Sequence, residues 1–113
     1  MSIQKDLTDK TKAWDKIFES LNNGMDVQTW SISRGNGCYF HVITSGNKLI
    51  IKKSKEKTPS CNITHDRPID FEQFEFVANY YDSYTNRVRG IREKIRDGCQ
   101  NSSYIISIMA RFL

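Results

Sequence analysis

The sequence predicts an α+β domain with an N-terminal helix, a three-stranded antiparallel meander and two to three C-terminal helices. Apolar residues recur with a helical period near both ends of the chain, whereas the period falls to two between residues 27 and 53. Pairs of turn-forming residues separate the period-two segments, as they do in a meander. A length of 113 residues suits one domain with its own core, so we treat 1–113 as a single domain.

The first helix is predicted over residues 9–22. One apolar stripe supports it, with members at the helical spacing i, i+3, i+4 and i+7. These members are Trp14, Ile17, Phe18 and Leu21. Thr8 is the expected N-cap, with Asp9 in the first turn, and Gly24 is the expected end signal.

The three strands are predicted over residues 27–32, 38–44 and 48–53. Between them, Arg34-Gly35-Asn36-Gly37 and Ser45-Gly46-Asn47 supply the Gly and Asn residues that tight hairpin turns need. Residues 54–69 are predicted to form a loop, with 61–64 as a candidate for a short edge strand.

Two helices are predicted after this loop, over 71–81 and from residue 85 or 86 to Gly98. Asp70 and Gln73 have the spacing of a capping box at the start of the first of them. The second contains Gly90, which costs about 1 kcal/mol relative to alanine inside a helix. We therefore expect this helix to depend on packing, along an apolar line that includes Val88.

The C-terminal segment 103–113 has apolar residues at helical spacing, and we favour a helix, although Tyr104-Ile105-Ile106 would also suit a strand. Residues 104–109 are apolar nearly all round, and only Ser107 interrupts them. Exposed apolar patches of that size are unusual on monomers. The segment therefore predicts a homodimer formed through residues 104–112.

Charge is sorted into segments along the chain. Residues 1–33 carry a net charge of −1, 34–67 carry +5, 68–83 carry −4 and 84–113 carry +4. Two basic segments separated by an acidic one predict a positive face and a negative face on one domain. A positive face attracts polyanions whatever the fold.

The first candidate for nucleic-acid contact is a row of arginines. Arg89, Arg92 and Arg96 would share one face of the third predicted helix, because they follow the spacing i, i+3 and i+7. Two further basic residues flank them, Arg87 and Lys94. The guanidinium group suits bidentate contact with phosphate. The alternative is a solvated helix face, since Glu93 and Asp97 lie in the same run.

The second candidate is the lysine-rich third strand with the loop after it. Lys52, Lys53 and Lys55 are the residues expected to contact phosphate there. Lys52 and Lys53 point to opposite sides of a strand, so the lysines cannot all serve one patch. The alternative explanation is that lysines at a sheet edge protect against aggregation.

Catalytic and metal-binding patterns are weak. Cys61, His65 and Asp66 place three ligand types close together, but zinc sites normally have four ligands at recognisable spacing. Cys38 and His41 would lie on opposite faces of a strand, so they do not suit the roles of nucleophile and base. We therefore expect no enzymatic activity, no cofactor and no metal.

The three cysteines, Cys38, Cys61 and Cys99, are odd in number and have no spacing typical of a disulfide framework.

The first residues, MSIQKDLTDKTKAW, are polar and mixed in charge, unlike a signal or transit peptide. No run approaches the roughly 18 apolar residues of a membrane span. We therefore expect a cytoplasmic protein without a membrane partner.

Part of the C-terminal half resembles known proteins. Three segments carry the resemblance: Arg67-Pro68-Ile69, the helix with Phe71, Phe74, Val77 and Tyr81, and Asn101-Ser102-Ser103-Tyr104-Ile105. Together, over about residues 67–113, they resemble accessory modules of prokaryotic restriction-type defence proteins and small orphan proteins of mobile gene cassettes. The resemblance implies a bacterial mobile-element setting with DNA contact, and it supplies no catalytic residues.

The sequence therefore predicts a non-catalytic nucleic-acid-binding domain of a bacterial mobile-element or defence-associated protein, with DNA favoured over RNA. Base stacking on strand aromatics such as Trp30 is a weaker hypothesis than their burial in the core. The alternative function is a protein–protein interaction module or homo-oligomeric accessory protein. Its acidic face would consist of Asp70, Glu72, Glu75 and Asp82.

Overall fold

The computed structural model describes residues 9–113, which form a four-stranded antiparallel sheet with helices packed against one face. The strands are β1 (Met25–Ser31), β2 (Gly35–Ser45), β3 (Lys48–Lys53) and β4 (Arg67–Ile69), in this order across the sheet. The helices are α1 (Lys10–Ser20), α2 (Phe71–Thr85), α3 (Ile91–Gly98) and α4 (Ser102–Phe112). The predicted α+β class with an antiparallel sheet is confirmed.

Apolar and polar residues alternate along the strands, and this alternation decides which face of the sheet the helices cover. Val27, Phe40 and Ile51 are fully buried under the helices. Their strand neighbours Asp26 and His41 point to the other face and remain partly exposed. The sheet therefore has one face in the core and one open face.

The sheet contains a strand that the three-stranded prediction lacks. β4 pairs with β3 through Leu49 and Ile69, and it includes Pro68. A proline is tolerated there because β4 is an edge strand, whose outer N–H groups have no ladder partner. The candidate edge strand over 61–64 is not formed. Instead, Ser60 makes a single bridge with Tyr39 of β2.

α1 packs on the covered face through Trp14, Ile17 and Leu21, as the apolar stripe predicts. The Asp9 carboxylate accepts a hydrogen bond from the Lys12 backbone N–H at 3.1 Å, so Asp9 is the N-cap rather than a first-turn residue. The predicted cap, Thr8, lies outside the described residues.

The boundary between α2 and α3 differs from the prediction. α2 continues to Thr85, past the predicted end at residue 81, because Tyr84 faces the core and is only 5% exposed. α3 begins only at Ile91, since Gly90 is left-handed with a φ of 81°. Arg89 therefore lies in a turn and not on a helix. Val88 is 50% exposed, so the prediction that it continues an apolar line is wrong.

The C-terminal segment is a helix, as favoured, and it lies inside the fold. Ile105, Ile108 and Met109 are at most 2% exposed, and Ser107 is buried with them. This burial within one chain removes the exposed apolar surface on which the homodimer prediction depends.

A disulfide joins Cys38 to Cys61, although the number and spacing of the cysteines did not indicate one. The two residues lie far apart in sequence, and only the pairing of Tyr39 with Ser60 brings them together. Disulfides persist mainly in oxidising compartments, so the cysteines no longer support the predicted cytoplasmic location. Across residues 9–113 no helix is long and apolar enough to cross a membrane.

Candidate functional site

Five arginines lie on two adjoining turns and on the helix that follows them. Arg34 is in the β1–β2 turn, Arg87 and Arg89 are in the α2–α3 turn, and Arg92 and Arg96 are on α3. All five are exposed. We call this set the arginine surface.

Hydrogen bonds fasten the two turns to each other. The Arg87 guanidinium donates to the Ile32 carbonyl at 3.1 Å, and the Ile32 N–H donates to the Tyr84 hydroxyl at 3.1 Å. The Arg34 N–H in turn donates to Ser31 Oγ, also at 3.1 Å. These contacts hold the end of β1 against the end of α2, which brings Arg34 and Arg87 into one region of the surface.

A narrow groove of about 190 Å³ separates α3 from the end of β1. Arg92 and Arg96 border it on the α3 side, and Trp30 and Tyr84 border it on the other. The Trp30 and Tyr84 rings meet edge to face, with their centroids 6.3 Å apart. Trp30 is only half-buried, so the groove combines cationic side chains with an accessible indole.

The arginine surface carries positive charge with little compensation. Arg34, Arg87, Arg89 and Arg92 make no salt bridge with any residue between 9 and 113. Arg96 lies 3.8 Å from the Asp97 carboxylate, but both side chains are largely exposed, so this pair is weak. Four of the five guanidinium groups therefore have no acidic partner among residues 9–113, and of these Arg87 also donates to the Ile32 carbonyl.

The predicted lysines lie in a different place. Lys52, Lys53 and Lys55 border a cleft of about 530 Å³ on the open face, which we call the lysine cleft. Lys52 and Lys53 do alternate across β3, yet both reach the cleft because β3 ends there. None of the five arginines borders this cleft. The structure thus brings the arginines together and the lysines together, but not the two groups.

Two contacts between side chains, which sequence reasoning did not find, order the lysine cleft. The Asp26 carboxylate lies 2.9 Å from His41 Nδ1, and the Asp66 carboxylate lies 2.6 Å from Lys52 Nζ. Asp26 and His41 are partners across β1 and β2, and His41 and Lys52 are partners across β2 and β3. Only the strand register, which depends on the hairpin turns, places these residues in one row.

The suspected cluster of Cys61, His65 and Asp66 does not form a metal site. Cys61 is bonded to Cys38 and therefore cannot act as a thiolate ligand. Within the part of the chain that the structure describes, no group of three or more His, Cys, Asp or Glu side chains is arranged to hold a metal ion.

Comparison of the chain with family models, with curated proteins and with solved structures gives no match. The resemblance to defence-associated accessory modules therefore stays a prediction.

Proposed function

We propose that this chain binds nucleic acid, with duplex DNA as the partner, and that the arginine surface makes the contact without catalysing a reaction. One observation carries the proposal: four of its five exposed arginines have no carboxylate partner among residues 9–113. Because the guanidinium group matches phosphate oxygens bidentately, unpaired exposed arginines on adjoining elements suit a phosphate backbone.

The groove between α3 and β1 supports contact with nucleic acid and makes a single strand the alternative to a duplex. Arg92 and Arg96 stand on one side of it and Trp30 on the other, so a phosphate and an unpaired base could be contacted within one small region. Stacking on an aromatic ring would favour a single strand, whereas phosphate contacts alone suit a duplex. A bacterial mobile-element or defence setting is part of the same proposal, and it rests on the resemblance alone.

The protein-interaction alternative has less support. Glu72 and Glu75 are exposed on α2, but the apolar helix that motivated a second subunit is buried in the core of one chain. We therefore keep nucleic-acid binding as the proposed function.

Fluorescence anisotropy with labelled duplex and single-stranded oligonucleotides, measured over a range of salt concentrations, tests the proposal. The double variant Arg92→Gln with Arg96→Gln should weaken binding and flatten the salt dependence by about one unit per lost phosphate contact. The matched control is Lys12→Gln with Lys16→Gln, which removes the same charge from exposed positions on α1.

The control should bind as the parent does. No binding of either oligonucleotide by the parent at low salt would overturn the proposal. An equal loss in both double variants would also overturn it, because binding would then depend on net charge and not on the arginine surface. A tryptophan fluorescence change that occurs only with the single strand, and that is lost in Trp30→Phe but kept in Trp14→Phe, would assign Trp30 to base stacking.

A further inference from the structure

The open face of the sheet carries a row of polar and charged side chains in strand register. Asp26, His41 and Lys52 lie side by side across β1, β2 and β3, and Asp66 of the following loop continues the row. Each neighbouring pair on one face of a sheet is close enough to interact. In this row each carboxylate orients one side chain, since Asp26 contacts His41 and Asp66 contacts Lys52.

The row borders the lysine cleft, which has the dimensions of a small-molecule site. Its volume of about 530 Å³ falls inside the range usual for such sites. Ile63, which is 6% exposed, supplies an apolar wall, while His65 and Thr64 supply polar groups. A concave surface with one apolar side and several convergent polar groups is the general form of a ligand site.

The cleft holds cationic groups that are not neutralised. Lys53 and Lys55 make no salt bridge with any residue from 9 to 113, and Lys52 can donate further hydrogen bonds besides the one to Asp66. The lysine ammonium group is a compact charge that often binds phosphate. The cleft therefore suits an anionic group that three lysines can approach.

His41 contributes a second kind of contact. Its Nδ1 is bonded to Asp26, whereas its Nε2 has no hydrogen-bond partner among residues 9–113. A Cβ atom at position 24 would lie 3.1 Å from this Nε2, so Gly24 keeps the space beside the ring open. The Asp26 carboxylate can only accept a hydrogen bond, so His41 donates to it from Nδ1, and a neutral imidazole that donates from Nδ1 accepts at Nε2.

We propose that the lysine cleft binds a small phosphorylated metabolite, with Lys52, Lys53 and Lys55 as its phosphate contacts and His41 Nε2 as the acceptor for a hydroxyl group of the ligand. Asp26 and Asp66 act as positioning residues for His41 and Lys52. Glu56 and Asp66 also border the cleft, and their negative charges disfavour an extended polyanion there. The cleft is larger than a free phosphate needs, so the rest of the ligand lies along Ile63. This site uses none of the arginines and is independent of the proposed nucleic-acid contact.

Amide NMR titration of the full chain tests the proposal with four probes: inorganic phosphate, a hexose phosphate, a nucleoside monophosphate and the uncharged nucleoside. At least one organic phosphate should bind more tightly than inorganic phosphate and the nucleoside, with shifts confined to residues of the cleft. Lys53→Gln with Lys55→Gln should weaken this binding about tenfold or more. The control, Lys12→Gln with Lys16→Gln, should change it by less than about twofold.

Asp26→Asn tests the positioning role separately. It should weaken binding of the same probe and change the ¹⁵N shifts of the His41 ring, because the carboxylate that selects the ring tautomer is gone. A native-like amide spectrum of each variant shows that the fold is intact.

Three results would overturn the proposal. The first is that no organic phosphate binds at millimolar concentration. The second is that the amide shifts lie outside the cleft. The third is that the control double variant loses as much affinity as Lys53→Gln with Lys55→Gln. The Arg92→Gln, Arg96→Gln variant should bind the probe as the parent does, so failure of this site and failure of the nucleic-acid proposal give different results.

Discussion

Cys38 and Cys61 are joined by a disulfide, with their Cα atoms 5.1 Å apart, and this bond fastens the loop after β3 to the start of β2. Backbone hydrogen bonds reinforce the attachment, from the Tyr39 N–H to the Pro59 carbonyl at 2.7 Å and from the Cys61 N–H to the Tyr39 carbonyl at 2.8 Å. The same loop continues to Ile63 and Asp66. The disulfide therefore holds one wall of the lysine cleft in place.

Removing this disulfide should lower the stability of the protein. Cys38→Ser opens a loop whose ends are 23 residues apart in sequence, which in the chain-entropy view reduces the free energy of unfolding by about 3 kcal/mol. Urea denaturation measures the loss. A reductant should destabilise the parent by a similar amount and leave the variant unchanged.

Alkylation followed by mass spectrometry provides the control for this prediction. Burial raises the pKa of the Cys99 thiol, so Cys99 should react only after unfolding. In urea without reductant we expect one labelled cysteine, and after reduction all three. Three labelled cysteines without reductant would contradict the disulfide.

Gly98→Ala should destabilise the protein, although alanine is the better helix former. A Cβ atom at position 98 would overlap the ring of Phe76, where α3 packs on α2. At a solvent-exposed helix position the change would add about 1 kcal/mol to the free energy of unfolding. A decrease of about 1–3 kcal/mol, measured by urea denaturation, therefore indicates the overlap. The double variant Gly98→Ala with Phe76→Leu should recover part of this lost stability. If the effects of the two substitutions simply add, position 98 and Phe76 are not in contact and the prediction is wrong.

Ser107→Ala should leave a backbone donor without a partner. Ser107 Oγ accepts a hydrogen bond from the Trp30 N–H at 2.9 Å and donates one to the Ser103 carbonyl at 2.7 Å. Because Ser107 is 1% exposed, little water can replace it. The expected loss in the free energy of unfolding is about 1–3 kcal/mol, measured by urea denaturation. Ser103→Ala, at an exposed position of the same helix, is the control, and an equal effect would contradict the prediction.

Tyr81 should make stability fall at high pH. Burial, helped by Tyr84 and Asp82, raises the pKa of the Tyr81 phenol from its ordinary value of 10.0 to about 12. Below pH 10 the phenol is neutral in both states, so its contribution to stability is fully present. Between about pH 10 and 12 the unfolded chain ionises and the folded chain does not, so stability is lost over this window.

Tyr81→Phe removes the ionising group and should reduce the loss of stability across that window. Urea denaturation at several pH values measures it, and tyrosinate absorbance should show one late-ionising phenol fewer in the variant. The same decline in stability with pH in parent and variant would argue against Tyr81 as the cause.

Local interactions explain the elements that the sequence predicts correctly. The hairpins of β1, β2 and β3 form where Gly and Asn permit tight turns, and alternation selects Val27 and Phe40 for the core. Asp70 caps α2 as its spacing predicts, because its carboxylate accepts from the Gln73 N–H at 2.9 Å. These interactions are predictable because they join residues that are close in sequence, or because the residues recur with a fixed period.

The candidate sites depend on contacts between segments that are distant in sequence, and the periodicity of apolar residues does not predict such contacts. Cys61 lies beside Cys38 because the loop after β3 pairs with β2 at Tyr39 and Ser60. Arg87 contacts the Ile32 carbonyl because the C-terminal end of α2 lies beside the end of β1. By itself the sequence determined the α+β class, the strand faces and the excess of positive charge. Only the tertiary structure decided which charges meet, because the left-handed turn at Gly90 and the strand register place the arginines and lysines in separate sites.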